Sequence, residues 1–188
     1  MTRHPAPRLF AHVRSAALAL LLLTIIPSVS VAQTTSASML KAAFTLNFVK
    51  FTEWPGLKAG VPILVCVPAD DNIANAMTQT MSGQSVDGHA IHVTRLPPTS
   101  AVRDCHLLFV TEREPRRLVA ILEEAGQSPM LTVSDVELSA QRGVVIEFFL
   151  EKNRLRFAIN VDTMERARVK VSSRLLSLAT IVRDTDSR

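Results

Sequence analysis

The sequence predicts an α/β fold: a single three-layer α/β/α domain whose mixed, mostly parallel sheet ends in an antiparallel hairpin. Two observations lead there. Strand-like and helix-like stretches alternate through the middle of the chain, as parallel strands joined by crossover helices require. Near the end, two apolar runs at 144–151 and 155–161 are separated only by Lys152, Asn153 and Arg154, a connection too short for anything but a hairpin.

The chain opens with Arg3, Arg8 and Arg14, the apolar run 16–26, then Pro27 and the small-residue stretch 28–32. A charged region, an apolar region and a small-residue cleavage site in that order predict a cleavable signal peptide, with Ser30 and Ala32 at the −3 and −1 positions of a cut before Gln33. Eleven residues rise about 16 Å as a helix, roughly half a hydrocarbon core, so a membrane anchor is disfavoured. The expected organisation is 1–32 as signal peptide and 33–188 as one α/β domain. No other stretch has the apolar length of a spanning helix.

Charge follows from that division. The chain carries 21 basic and 17 acidic residues; taking away the three arginines of residues 1–32 leaves 18 against 17, so the basic pI belongs mainly to the targeting segment. Nucleic-acid binding loses its electrostatic argument. Cys66 and Cys105 both remain, and in an oxidising compartment a lone pair of cysteines is more often a disulfide than two free thiols, the alternative being two buried, inert thiols.

In the mature segment, Ser38 is placed to cap a helix running to about Trp54, where Pro55 and Gly56 stop it. Leu40, Ala43, Phe44, Asn47, Phe48, Phe51 and Trp54 share one face at helical spacing and predict the core stripe. Asn47 then reads as a buried amide bonded to backbone. Met39, Ala42, Leu46 and Val49 form a second apolar strip, which predicts that another element or chain covers it. The pattern continues with a strand at 61–67, a helix at 71–81, and a strand at 89–96 after the turn-forming Asp87-Gly88. A strand at 105–110, a helix at 114–125, a strand at 130–133 and a short helix ending near Arg142 come next. After the hairpin, 171–182 reads as a closing helix.

A parallel sheet usually carries its ligand at the carboxyl edge of its strands. The polar residues expected there are Asp70, Asp71, Thr111, Glu112, Glu114, Ser134, Asp135 and Glu137. Thr111 with Glu114, and Ser134 with Glu137, spell capping boxes, and Asp70 or Asp71 suits a helix cap. The six glycines form neither a dinucleotide fingerprint nor a phosphate loop. His89 and His92, three apart on a strand, point to opposite faces, as do Cys105 and His106, so a shared metal is disfavoured. No nucleophile signature is present. The expectation is a non-enzymatic binding or regulatory domain without metal or cofactor.

The segment Lys41-Ala42-Ala43-Phe44-Thr45-Leu46-Asn47-Phe48-Val49-Lys50-Phe51-Thr52-Glu53-Trp54-Pro55 closely resembles the opening of the YfiR family of periplasmic proteins. The likeness continues through Ile63-Leu64-Val65-Cys66-Val67, Cys105-His106-Leu107-Leu108-Phe109-Val110 and Leu131-Thr132-Val133-Ser134-Asp135. It ends in Phe157-Ala158-Ile159-Asn160 and Val171-Ser172-Ser173-Arg174-Leu175-Leu176-Ser177-Leu178-Ala179. The chain departs from the family pattern at Leu46, where many relatives have tyrosine, at Ala167-Arg168-Val169 in place of Ala-Gly-Leu, and in lacking a second cysteine pair.

The resemblance implies a periplasmic regulator that binds the periplasmic portion of an inner-membrane diguanylate cyclase and lowers cyclic di-GMP synthesis and biofilm formation. It also supports pairing of Cys66 with Cys105, and implies an outer-membrane lipoprotein as a further partner of some members. A homodimer is expected. The partner or dimer surface is assigned to Met39, Leu46 and Val49 on the first helix and to the basic residues Arg168, Lys170 and Arg174 near the end. The alternatives are a periplasmic small-ligand-binding component of a transport system and an unrecognised periplasmic hydrolase.

Overall fold

A computed structural model describes residues 30–68, 72–97, 102–111, 118–125 and 128–184, with side chains from residue 36 onward except Pro68. The chain divides into two units, 1–33 and 34–188, and the sheet belongs to the second. The signal-peptide expectation lies almost wholly outside the described residues.

An eight-stranded sheet forms the middle layer. Its strands are β2 (Ile63–Pro68), β3 (Ser85–Val86), β4 (His89–Leu96), β5 (Leu107–Val110), β6 (Leu131–Ser134), β7 (Ile146–Glu151), β8 (Arg154–Asn160) and β10 (Thr180–Val182). Their spatial order is β10-β8-β7-β6-β5-β2-β4-β3. The run from β4 to β7 is parallel, β7 and β8 make the expected antiparallel hairpin, and β10 lies parallel to β8. Lys152 and Asn153 take φ of 49° and 59°, the left-handed pair that a two-residue hairpin turn demands.

Helix α2 (Asn72–Met81) connects β2 to β4, and α3 (Leu118–Ala125) connects β5 to β6. These two connections step across the sheet in opposite directions from β2 and β5. Because crossovers are right-handed, opposite steps put their helices on opposite faces. Strand residues alternate accordingly. Val65, Val67, Leu107, Phe109, Leu131 and Val133 join the core under α2 and the first helix, while Cys66, Leu108 and Val110 join the core under α3.

The first helix is α1 (Ser30–Lys50), and its residues from Met39 onward pack on the first of these faces. It passes through Ser38 and ends at Lys50, and Thr52–Glu53 is a short strand, β1. The predicted capping by Ser38 and extension to Trp54 are thus corrected. The helix is also rotated from its expected phase. Ala42, Thr45, Phe48 and Val49 are fully buried, whereas Ala43 and Asn47 are exposed and Leu40 is 47% exposed. Asn47 is therefore no buried amide. Small or β-branched side chains at 42, 45 and 49 let the helix lie close on the sheet, and Thr45 is buried because its hydroxyl donates to the Lys41 carbonyl at 2.8 Å. Phe44 and Phe48 reach Phe148 and Phe157 from the flank.

The predicted closing helix breaks into three pieces: β9 (Lys170–Val171), α5 (Ser173–Leu176) and β10. Ser172 caps α5 by accepting from Leu175 N–H. Ahead of them α4 (Val161–Arg166) follows β8 directly, capped by Asn160, whose side chain accepts from Thr163 N–H at 2.9 Å. Asn160 also donates to the Ala140 carbonyl and to Asp184. Asp162 binds Arg183, and Arg166 binds Asp184, so two ion pairs clasp the chain after β10 to α4. Hydrogen bonds from Arg166 and then Asn160 hold the Asp184 carboxyl below the ordinary carboxylate range.

Candidate functional site

At the carboxyl edge of the strands, the polar residues serve the fold. Ser134 Oγ accepts from Val136 N–H at 3.0 Å, which makes a serine turn and not the first residue of a capping box. No α-helix follows it, only a 3₁₀ turn at Ala140–Arg142. Asp135 pairs with Lys41 of α1 at 2.5 Å, pinning the helix to that edge. The carboxylate of Glu147 accepts from Leu138 N–H at 2.9 Å and Ala140 N–H at 2.8 Å. This supports the backbone where Leu138 takes a φ of 58°. Thr111 is buried, Glu137 is exposed, and Asp70, Asp71, Glu112 and Glu114 lie outside the described residues.

The histidines His89 and His106 are bound to backbone. His89 Nδ1 lies 2.7 Å from the Val61 carbonyl. His106 Nδ1 accepts from Leu64 N–H at 3.1 Å, which leaves that nitrogen unprotonated. Burial, with the neighbouring His89 second, lowers the His106 pKa below its ordinary value of 6.5. Among the described residues no group of three or more His, Cys, Asp or Glu could hold a metal ion. Beside His106, Cys105 is joined to Cys66 of β2 with Cα atoms 5.8 Å apart, within the range a disulfide needs.

A concavity among the described residues lies at the opposite, amino edge. There β1 and β9 form a two-stranded antiparallel ribbon with Thr52 opposite Val171 and Glu53 opposite Lys170. Trp54 follows the ribbon and donates its indole N–H to the His106 carbonyl, which fixes Pro55 beside the loop that enters β6. Between Pro55, Pro129, α4 and β9 opens a cleft of about 660 Å³. Met164, Val169 and Val171 form its apolar lining, with Val169 and Val171 only 3% and 8% exposed. Glu165, Arg168 and Lys170 also line it and are exposed at its mouth.

Arg168 has a φ of 55°, the left-handed region that costs an L-residue roughly 1–2 kcal/mol. Its N–H closes the turn onto the Glu165 carbonyl at 3.0 Å. An arginine thus stands where backbone geometry favours glycine.

The structure separates the six residues expected to form one surface. Arg168 and Lys170 share the cleft. Arg174, on α5, lies over the Phe51 ring at 5.8 Å, against the end of α1. Val49 is fully buried, and Met39 and Leu46 are part-buried against the same core. The apolar strip assigned to a partner is the side of α1 that meets the sheet, because a helix apolar on most sides gives periodicity no means of choosing its inner face. Glu165 and the two prolines were missed. Their one sequence signal was Asn160, a good helix cap with Asp162 in the following turn, which announces α4 and hence the cleft wall.

Among the described residues no helix is long and apolar enough to cross a membrane. A solved structure described as a conserved domain protein from Vibrio cholerae O1 biovar El Tor strain N16961 superposes with a TM-score of 0.56 at 9% identity. The match covers 74% of this chain and 59% of that one. At that identity the likeness concerns the fold. Residues 38–180 match the model of the YfiR/HmsC-like family, a span that runs from Ser38 of α1 through the disulfide and the cleft to the first residue of β10, and the chain therefore belongs to the YfiR/HmsC-like family.

Proposed function

We propose that this protein is a periplasmic negative regulator that docks on the periplasmic portion of an inner-membrane diguanylate cyclase and lowers cyclic di-GMP synthesis, without catalysis of its own. Membership of the YfiR/HmsC-like family carries this reading. Secretion through a cleavable segment at 1–32 is part of it. Two features support export: the Cys66–Cys105 disulfide suits an oxidising compartment, and the compact unit begins at Thr34, next to the expected cut before Gln33.

The docking surface we assign is the amino-edge cleft with Arg168 and Lys170, in place of the strip on α1, where Val49 is buried and Met39 and Leu46 are part-buried against the core. A mixed lining of apolar floor and charged rim is what a non-obligate protein interface offers.

The test is deletion of the gene, with intracellular cyclic di-GMP and surface attachment measured in several growth phases. Both should rise, and a plasmid copy should return them to the parental level. Unchanged cyclic di-GMP in every condition would rule the reading out.

A further inference from the structure

We infer that the tip of the β7–β8 hairpin is a membrane-contacting arm, which lays Leu150 against an anionic bilayer and sets Lys152 and Arg154 among the lipid headgroups. The inference goes beyond the regulatory reading and does not rest on it.

The sheet register isolates the arm. β6 reaches β7 only at Ile146 and Glu147, and β10 reaches β8 only from Ala158 onward, while β7 and β8 stay paired as far as Glu151 and Arg154. Four residues of each strand therefore run on beyond their neighbours, about 13 Å of two-stranded ribbon past the carboxyl edge. Among the described residues no strand lies along its outer edges. Such a ribbon is marginal alone. Its base is held by Phe148 and Phe157, which face each other in the register and pack on Phe44 of α1. The next pair on that face is Leu150 opposite Leu155; Leu155 is half-buried, but Leu150 is 72% exposed.

A single exposed leucine is ordinary on any protein surface. The charge around this one is what distinguishes it. Residues 148–157 hold three cations, Lys152, Arg154 and Arg156, and one acid, Glu151. Glu151 stands across from Arg154 in the register, yet its carboxylate pairs with Arg156 at 3.7 Å. Lys152 and Arg154, both exposed at the turn, make no ion pair among the described residues. An apolar side chain at a projecting tip, flanked by unneutralised cations, is the composition of an interfacial lipid-binding element, and each basic side chain adds attraction to an anionic leaflet. Charged side chains along the ribbon disfavour pairing with another protein strand, and a second copy of the arm would bring like charge to like. The arm leaves the carboxyl edge and the cleft opens at the amino edge, so a bilayer and a protein partner can be held at once.

The test mixes the disulfide-bonded protein, recovered from expressing cells as they process it, with sucrose-loaded vesicles. One set is phosphatidylcholine with about one-third phosphatidylglycerol, an anionic surface of the kind that attracts basic segments; the other is phosphatidylcholine alone. The protein should sediment with the anionic set only, and less of it as salt rises. Excess soluble glycerophosphate should leave most of it bound. Exchanging both free cations, Lys152→Gln with Arg154→Gln, should weaken binding about thirtyfold. Leu150→Trp puts a reporter at the exposed position, with the buried Trp54 as internal reference. Its emission should be quenched by lipids brominated in their acyl chains when the vesicles are anionic.

No sedimentation of the unmodified protein with anionic vesicles, or equal sedimentation with neutral ones, overturns the inference without appeal to any variant. Full displacement by glycerophosphate overturns it in favour of a free-anion site. Retained binding by the double glutamine variant, or Leu150→Trp emission untouched by brominated lipid, does so as well. A dimer in sedimentation velocity that Leu150→Ser turns into a monomer assigns the tip to a second copy and overturns it too. Cyclic di-GMP in the deletion strain bears on the regulatory reading alone.

Discussion

Trp54 donates its indole N–H to the carbonyl oxygen of His106 at 2.9 Å, across 52 residues of chain. The same oxygen accepts from Leu131 N–H at 2.8 Å, and the two rings meet edge to face. One residue thus ties the segment after α1 to the entrances of β5 and β6. Trp54→Phe keeps the apolar ring and removes the donor, so stability should fall by about 1 kcal/mol. A urea titration followed by far-ultraviolet circular dichroism measures it, since the variant loses the single tryptophan.

The His106 ring makes stability depend on pH. Its Nδ1 can accept from Leu64 N–H only while unprotonated, and burial holds its pKa below 6.5 in the fold. The unfolded chain therefore takes up the proton first as pH falls. The contribution is whole above 6.5, declines as pH drops through the folded-state value, and is constant below it. Urea midpoints from about pH 7.5 down to about pH 5 should trace that decline. His106→Asn supplies an acceptor that does not titrate and should flatten it; an unchanged slope would mean another group is responsible.

The phase of α1 separates two neighbouring substitutions. Val49→Asp places a charge in a fully buried position and should cost about 3 kcal/mol or more. Asn47→Asp, on the exposed side, should stay within about 0.5 kcal/mol. Thermal unfolding of both compares the inner face directly with the outer one, and the reverse order would restore the strip of Met39, Leu46 and Val49 as a surface.

Cys66 and Cys105 are 2% and 5% exposed, so a mild reductant should leave the folded protein unalkylated while the denatured protein gains two labels. The bond closes a separation of 39 residues, worth roughly 4 kcal/mol in the chain-entropy account. The double variant Cys66→Ala, Cys105→Ala should lose up to that amount in a denaturant titration.

The sheet was legible because its determinants are local. Residues 89–96 alternate and follow Asp87-Gly88, so β4 has the bounds the sequence predicts, and the short hairpin loop left β7 and β8 one arrangement. The segment 171–182 misled for the opposite reason. Its leucines fall at helical spacing, but Ser172 starts a new cap, and β10 finds a free sheet edge beside β8. A tertiary partner outweighs a weak local preference. The cleft was invisible at the level of single residues: Pro55 comes from the start of the domain, Met164 and Arg168 from near its end, and they bear no common motif.

Periodicity and order along the chain were enough to establish the α/β class, the alternation of core residues across the sheet, the cysteine pair and the resemblance that the family match bears out. Two facts came from the folded arrangement alone: which side of α1 is inside, and that Arg168 is held in a left-handed turn at the mouth of an apolar cleft. A helix apolar on most of its circumference is oriented by the shape of the sheet it meets. A cleft exists only where distant segments converge, and no single segment encodes that convergence.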